Sequence, residues 1–341
     1  MFTVVIPLYQ KRGYIQRALD SIYAQSIGRE AVPEIVVVND GSTDGGDAVA
    51  RAQADPRVRV IDQPNRGVSA ARNAGIAAAG QPFIALLDAD DRWRPGFLAR
   101  MRDLIAAHPG ASLYGSGFTT VRGGEPESDH GVRGDEMQGH AERLEGHLAG
   151  RVDFFRAWRR DHVVHPSGSI VPREAAAAVG GFQDGLAYCE DHLFLAKLAL
   201  AGPVVLTSEP LVEYDVAVPG QFIEFWRGPY QARFDVLDYH RFLAGEVRRR
   251  CGAAAQPNAA AFCDYARLQL RTAVLQRLYW GNFAAVDRIW RELGLDGLGL
   301  GPSAATAAWV ARRPVVRPFA AAALAAVRGV RSTLRRGETA A

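Results

Sequence analysis

Phe83-Ile84-Ala85-Leu86-Leu87-Asp88-Ala89-Asp90-Asp91 decides how this chain is read. An unbroken apolar run that stops at a cluster of acids is the pattern of a strand buried on both faces, ending at a polar edge. Working back toward the N-terminus, Val68 to Ala79 is Ala-rich and helical, closed by Gly80 at a C′ position. Pro64-Asn65-Arg66-Gly67 is a turn, and Val58 to Ile61 a strand. Glu34 to Val38 is β-branched and apolar, hence another strand. It runs into Asn39-Asp40-Gly41-Ser42-Thr43-Asp44, where Ser42 or Thr43 suits the cap of a helix reaching about Gln53. Ile15, Ala18, Leu19 and Ile22 recur at helical spacing, and Thr3 to Tyr9 is a first buried strand. Four β-α units with short connections predict an open, mostly parallel α/β sheet with flanking helices.

Beyond Asp91 the pattern loosens. Ala111 to Val121 reads as a strand, and 122–150 as a long Gly-rich loop with a weak helix. Arg151 to Arg160 reads as a helix, Ser169 to Val171 as a short strand, and Arg173 to Val179 and Glu190 to Ala201 as helices. Val204 to Leu206 and Leu211 to Tyr214 read as two edge strands. From about Gly220 the pattern is all-helical, with segments near 221–250, 258–278, 283–293 and 303–335. The expected division is a sheet domain over 1–218 and a helical region with a basic tail over 219–341.

Composition narrows the class. At roughly 150 residues per domain, 341 residues suggest about two domains. An apolar fraction of 48% with 23% charged residues excludes a mainly disordered chain. Three cysteines, Cys189, Cys251 and Cys263, are too few and too scattered for a disulfide framework, so reduced thiols in a cytoplasmic protein are expected. No basic stretch followed by an apolar run marks a secretory signal, and Pro318 to Val327 stops at Arg328, short of a membrane span. From Gly301 onward there are seven Arg and one Glu, which leaves −3 for the first 300 residues of a chain at +3 overall. That basic tail suits peripheral contact with an anionic membrane, and equally plain helix packing or an oligomer contact.

In an open α/β sheet, ligands bind beyond the carboxyl ends of the strands. Pro7-Leu8-Tyr9, Asp40 and Asp88 to Asp91 all stand at such ends. Three carboxylates within four residues repel one another, and a divalent cation resolves that repulsion. A solvated turn with Asp91 capping the next helix is the plain alternative. Asp40 suits a nucleobase N–H, or simply a turn. Arg66 and Arg72 suit phosphate, or a solvated helix start. Glu190-Asp191 suits a general base, or first-turn acids favoured by the helix dipole. His165 suits a metal or acceptor contact, or a structural role.

The order of these motifs resembles that of the family 2 glycosyltransferases, which have the GT-A fold. The resemblance rests on Val4-Val5-Ile6-Pro7-Leu8-Tyr9, on Val37 to Asp44, on Asn65 to Gly75, on Leu87 to Asp91, and on Gly180-Gly181-Phe182 with Glu190-Asp191. It implies that Pro7 and Tyr9 line a nucleotide pocket and that Asp40 contacts the base, usually uracil. It places Arg72 near the base or diphosphate. Asp88 would touch the ribose or the metal shell, and Asp90, across Ala89 in the D-x-D turn, would bind Mn²⁺ or Mg²⁺. Asp191 would be the catalytic base, with Glu190, His192 and His165 on the acceptor side. Asn39 stands where many members have Asp, and His192 where Trp is common. No Gln-x-x-Arg-Trp motif of processive members is present, so a single sugar addition is expected. The implied acceptor is a saccharide or lipid-linked hydroxyl in cell-surface polysaccharide or glycolipid synthesis.

Rival readings are weaker. The first β-α turn lacks the Gly-rich phosphate loop of a nucleotidyltransferase and the G-x-G-x-x-G of a dinucleotide enzyme. A non-catalytic nucleotide-sugar-binding protein of the same fold stays open, because fold does not establish activity. Nothing in the sequence marks a nucleic-acid module.

Overall fold

A computed structural model describes residues 1–32, 34–139, 142–144, 146–186, 189–218, 237–251, 259–279, 282–313, 316–318, 320–321 and 324. It divides into two units, Met1–Gln221 and Phe222–Ala341.

The first unit is a mixed α/β sheet with flanking helices. Its strands are β1 (Phe2–Leu8), β2 (Glu34–Asp40), β3 (Val58–Gln63), β4 (Phe83–Leu86), β5 (Arg92–Trp93), β6 (Leu113–Arg122), β7 (Glu125–His130), β8 (Glu142–Leu144), β9 (His147–Arg151), β10 (Ser169–Pro172) and β11 (Val204–Asp215). Its helices are α1 (Ile15–Tyr23), α2 (Gly46–Arg51), α3 (Val68–Ala78), α4 (Phe97–Ala107), α5 (Phe154–Arg160), α6 (Arg173–Ala178) and α7 (Glu190–Ala201). The order across the sheet is β3-β2-β1-β4-β10-β6-β11-β9-β8. β3, β2, β1 and β4 run parallel, as their apolar runs predict. β10 enters antiparallel between β4 and β6, and β11 lies parallel to β6. All the polar strand ends of the parallel half therefore open on one edge.

The packing follows the apolar spacing. Ile15, Ala18, Leu19 and Ile22 form the buried face of α1. α3 lies so close to β1 that a Cβ on Gly75 would stand 2.3 Å from Val5 Cγ1, so only glycine fits there. The first unit's core gathers residues of β1, β2 and β4 with α1 and α4.

Four expectations are corrected. The segment 122–150 is not a loop with a weak helix but contains β7, β8 and β9. β7 is Glu-Pro-Glu-Ser-Asp-His, almost entirely exposed, so it carries no apolar alternation to read. Its signal was Gly123-Gly124, both at positive φ, which turn β6 back on β7. β11 is one strand rather than two edge strands, and it passes through Pro210 at an irregularity in its pairing with β6. β11 also pairs β9 and β5, so it is internal. α2 is not capped by Ser42 or Thr43. Asp44 Oδ1 accepts from the Gly46 N–H at 2.9 Å, with Gly45 left-handed before it. α3 ends through an extended Ala79, without a left-handed Gly80.

The second unit contains helices Leu237–Arg250, Ala259–Tyr279, Phe283–Glu292 and Pro302–Ala311. The expected helices near 221–250 and 303–335 extend onto residues outside those described, as does most of the basic tail. Cys251 and Cys263 form a disulfide, against the expectation of reduced thiols. One follows the first of these helices and the other lies in the second, so the backbone sets their Cα atoms 5.9 Å apart. Cys189 is free and buried. Among the described residues no helix is long and apolar enough to cross a membrane.

Candidate active site

Arg72 organises the polar edge. It sits on α3, nearly fully buried, and its Nη2 donates to both oxygens of Asp88 at 2.8 and 2.9 Å. Its Nη1 donates to Glu190 Oε1 at 3.1 Å. One guanidinium thus ties the acid after β4 to the acid that opens α7, although the two stand 102 positions apart in the chain. The Arg72 guanidinium also lies over the Phe182 ring, 5.0 Å from its centroid. Phe182 is held by Asn73, whose Nδ2 donates to the Phe182 carbonyl at 2.8 Å and whose Oδ1 accepts from its N–H at 2.9 Å. Gly181, at φ +65°, has no room for a Cβ against Asn73 Oδ1. The Asn65–Gly75 and Gly180-Gly181-Phe182 motifs are therefore two sides of one contact.

The acidic turn is built by tertiary contacts. Asp91 is fully buried rather than a helix cap, and α4 begins only at Phe97. Asp91 Oδ2 accepts from Ser167 Oγ at 2.5 Å and lies 3.4 Å from His165 Nδ1, while Oδ1 has no hydrogen-bond partner. Burial, reinforced by Asp90 and Asp88, raises the Asp91 carboxyl well above its ordinary pKa. Asp90 Oδ2 is paired with Lys11 Nζ at 2.7 Å. Asp88, Asp91 and His165 offer ligand atoms that all lie within 4.8 Å of one another.

Glu190 and Asp191 differ in charge state. Burial and the neighbouring Asp191 push Glu190 up to about 7, against the opposing pull of Arg72. Burial opposes the charge on Asp191 too, but His192, Arg72 and His165 outweigh it and hold Asp191 below its ordinary value. The pair therefore presents one anion and one readily protonated acid, the separation by which adjacent carboxylates take different roles. Burial lowers the His165 pKa from its ordinary value, against the opposing pull of Asp88 and Asp191. His192 lies against Trp158 and His162, with ring centroids 5.2 and 4.7 Å away. Burial, helped by His192, lowers His162 to about 4.

The other candidates fall around this centre. Asp40, at the end of β2, accepts from Gln63 Nε2 at 2.7 Å and from the Arg66 and Gly67 N–H groups at 2.9 Å each. Its carboxylate shapes the 63–67 turn, and three of its roughly four acceptor positions are used. Pro7 is half-buried at the end of β1, Tyr9 is 47% exposed, and Ala89 is buried. The reading from sequence missed Ser167, Asn73 and Lys11. Lys11 alone carried a signal, as one of only two lysines, next to a strand end. The second unit has a cavity of about 630 Å³ lined by Trp290, Asp296, Trp309, Arg312 and Arg313 among others. It gathers no comparable set of acids.

Residues 3–166 match the family described as Glycosyl transferase family 2. Over 100 residues, 29% of this chain and 28% of the other, the sequence is 46% identical to the succinoglycan biosynthesis protein ExoO of Rhizobium meliloti. The chain spans less than half the length of the curated relatives it matches. Its fold is shared with Staphylococcus aureus TarS 1–349 in complex with UDP-GlcNAc, with TM-score 0.62, 19% identity, and 93% and 91% of the two chains covered. It is shared also with the mannosyltransferase PcManGT of Pyrobaculum calidifontis in complex with GDP-Man and Mn²⁺, with TM-score 0.53, 21% identity, and 96% and 86% covered. Residues 3–166, which carry Arg72 and the acidic turn it binds, thus match glycosyl transferase family 2 within the first unit.

Proposed function

We propose that this chain is an inverting glycosyltransferase. It moves a single sugar from a nucleotide-sugar, UDP-linked in the first instance, to a hydroxyl of a saccharide or lipid-linked acceptor. The product belongs to cell-surface polysaccharide or glycolipid synthesis, a reading that the name of ExoO, a succinoglycan biosynthesis protein, supports on the polysaccharide side. One observation supports the reading above the others: Arg72 joins Asp88 to Glu190, so the acidic turn and the Glu190-Asp191 pair share one centre.

In this reading Asp191, held ionised, takes the proton from the acceptor hydroxyl as its oxygen attacks the anomeric carbon. The bond from that carbon to the diphosphate oxygen breaks on the opposite face, and the configuration inverts, as when a carboxylate activates water in an inverting glycosidase. Glu190 and Arg72 keep the base in place. Pro7, Tyr9 and Asp40 frame the nucleotide, Asp40 through its remaining acceptor position.

The acids fit a divalent cation. Two carboxylates and an imidazole lie within reach of one ion, and Asp91 Oδ1 is buried without a partner. Asp88, Asp91 and His165 would hold Mn²⁺ or Mg²⁺, with Asp90 beside them on Lys11. The ion would supply positive charge for the departing diphosphate. PcManGT with GDP-Man and Mn²⁺ and TarS with UDP-GlcNAc lend support to a nucleotide-sugar donor. Arg312, Arg313 and Arg317, near the half-exposed Trp309, would bring the chain to an anionic inner membrane face.

The test is a thermal-shift screen of UDP-, GDP- and dTDP-sugars with and without Mn²⁺. A true donor stabilises by RT ln(1 + [L]/Kd), so one sugar nucleotide should stand out. Donor turnover that persists undiminished in Asp191→Asn would refute the assigned base. A chain ending near Pro302 that partitions with anionic liposomes as well as the whole chain would end the membrane assignment.

A further inference from the structure

We propose that Ser167 is a positioning residue, which sets the spacing of Asp88, Asp91 and His165 for a divalent cation. This rests on the cation-assisted reading given above. Ser167 lies in the single helical turn Pro166–Gly168 before β10 and is 0% exposed. Its bonds are therefore made to protein and not exchanged with water. The hydroxyl accepts from the Asp88 N–H at 3.0 Å and donates to Asp91 Oδ2 at 2.5 Å. Its own N–H stands 3.3 Å from His165 Nδ1 and fixes the rotation of that ring. Its carbonyl accepts from Trp93 Nε1 at 2.6 Å. One residue thus bonds to each of the three that offer ligand atoms, and to the indole that follows the acidic turn.

The turn cannot yield. A Cβ on Gly168 would meet the Ser116 carbonyl at 3.1 Å, and one on Gly115 would meet the Gly168 carbonyl at 2.9 Å. Backbone therefore presses on backbone behind Ser167, and the hydroxyl is held where both acids need it. Without it the Asp88 N–H loses its acceptor, and Asp91, already short of a partner at Oδ1, loses its bond at Oδ2. Both acids are then free to relax away from a shared ion. Partners of this kind, beyond the ligands themselves, typically carry about 10–100-fold in metal affinity.

The test uses the full chain without nucleotide and Mn²⁺ alone as the probe, titrated by EPR or calorimetry. Ser167→Cys keeps a small side chain and replaces a good donor and acceptor with a weak one. It should weaken Mn²⁺ binding about 10–100-fold, read on the folded variant separately from any change in its metal-free melting temperature. Ser167→Thr keeps the hydroxyl and should restore most of the affinity. Should either variant fail to fold, Trp93→Phe loosens the same turn through the Ser167 carbonyl and should weaken Mn²⁺ binding in the same direction. Unchanged Mn²⁺ affinity in Ser167→Cys, or in Trp93→Phe where that variant decides, overturns the positioning role. A parent chain that binds no Mn²⁺ with or without UDP overturns the cation-assisted reading itself.

Discussion

Arg72 Nη2 sits against both carboxylate oxygens of Asp88, and the guanidinium is only 4% exposed. Burial works against that charge, but Asp88 and Glu190 outweigh it and raise the Arg72 pKa above its ordinary value. A buried cation between two acids is structural as well as chemical. Arg72→Ala leaves two acids facing each other with no counter-charge. Breaking a buried pair in this way costs about 3–5 kcal/mol, so a large fall in the urea midpoint is expected. Arg72→Lys should recover little, because a single ammonium cannot match a planar group that reaches two acids at once.

Asp191→Asn should leave folding intact and lower the transfer rate about 10²–10⁴-fold, the usual contribution of a general base. The measurement is single-turnover sugar transfer, with donor affinity read separately. Donor affinity near that of the parent alongside the lost rate places the defect in chemistry and not in binding.

Glu190 gives a signature in stability. Its folded pKa of about 7 lies above the ordinary 4.5, so the native state holds the proton more tightly than the unfolded chain. That contribution is fully present below about pH 4.5 and is lost as pH rises through about 7. Asp191, shifted downward, acts with the opposite sign, and only below its ordinary 3.8. The depressed His162 and His165 act with the opposite sign over the same range in both proteins, so the change in urea midpoint from pH 5 to pH 8 should be less negative in Glu190→Gln than in the parent.

Gly75→Ala drives a methyl group into Val5 Cγ1 across the α3–β1 contact. Overpacking of this kind costs about 1–3 kcal/mol. Val5→Ala should relieve part of it, so the double variant should be less destabilised than the sum of the two singles. Strict additivity in guanidinium melts would mean that the helix shifts instead.

Reduction should loosen the second unit. Opening the Cys251–Cys263 bond releases a loop of 12 residues in sequence separation, and loops of such size typically carry about 2–4 kcal/mol. Alkylation followed by intact-mass measurement should label Cys189 only after unfolding, and the other two only after reduction.

By itself the sequence determined the alternation of β1, α1, β2, β3, α3 and β4, because strands buried on both faces must be continuously apolar and short loops leave few topologies. It also marked the acids at the strand ends and their family. It could not reveal β7, whose residues are polar and exposed, nor the unity of β11, which crosses Pro210 by a pairing irregularity. It could not tell that Asp91 turns inward onto Ser167, 76 positions away, or that Arg72 serves acids rather than solvent. Periodicity records which face of an element is apolar. Which polar side chains meet inside is decided by distance in space, and only the packed sheet supplies that.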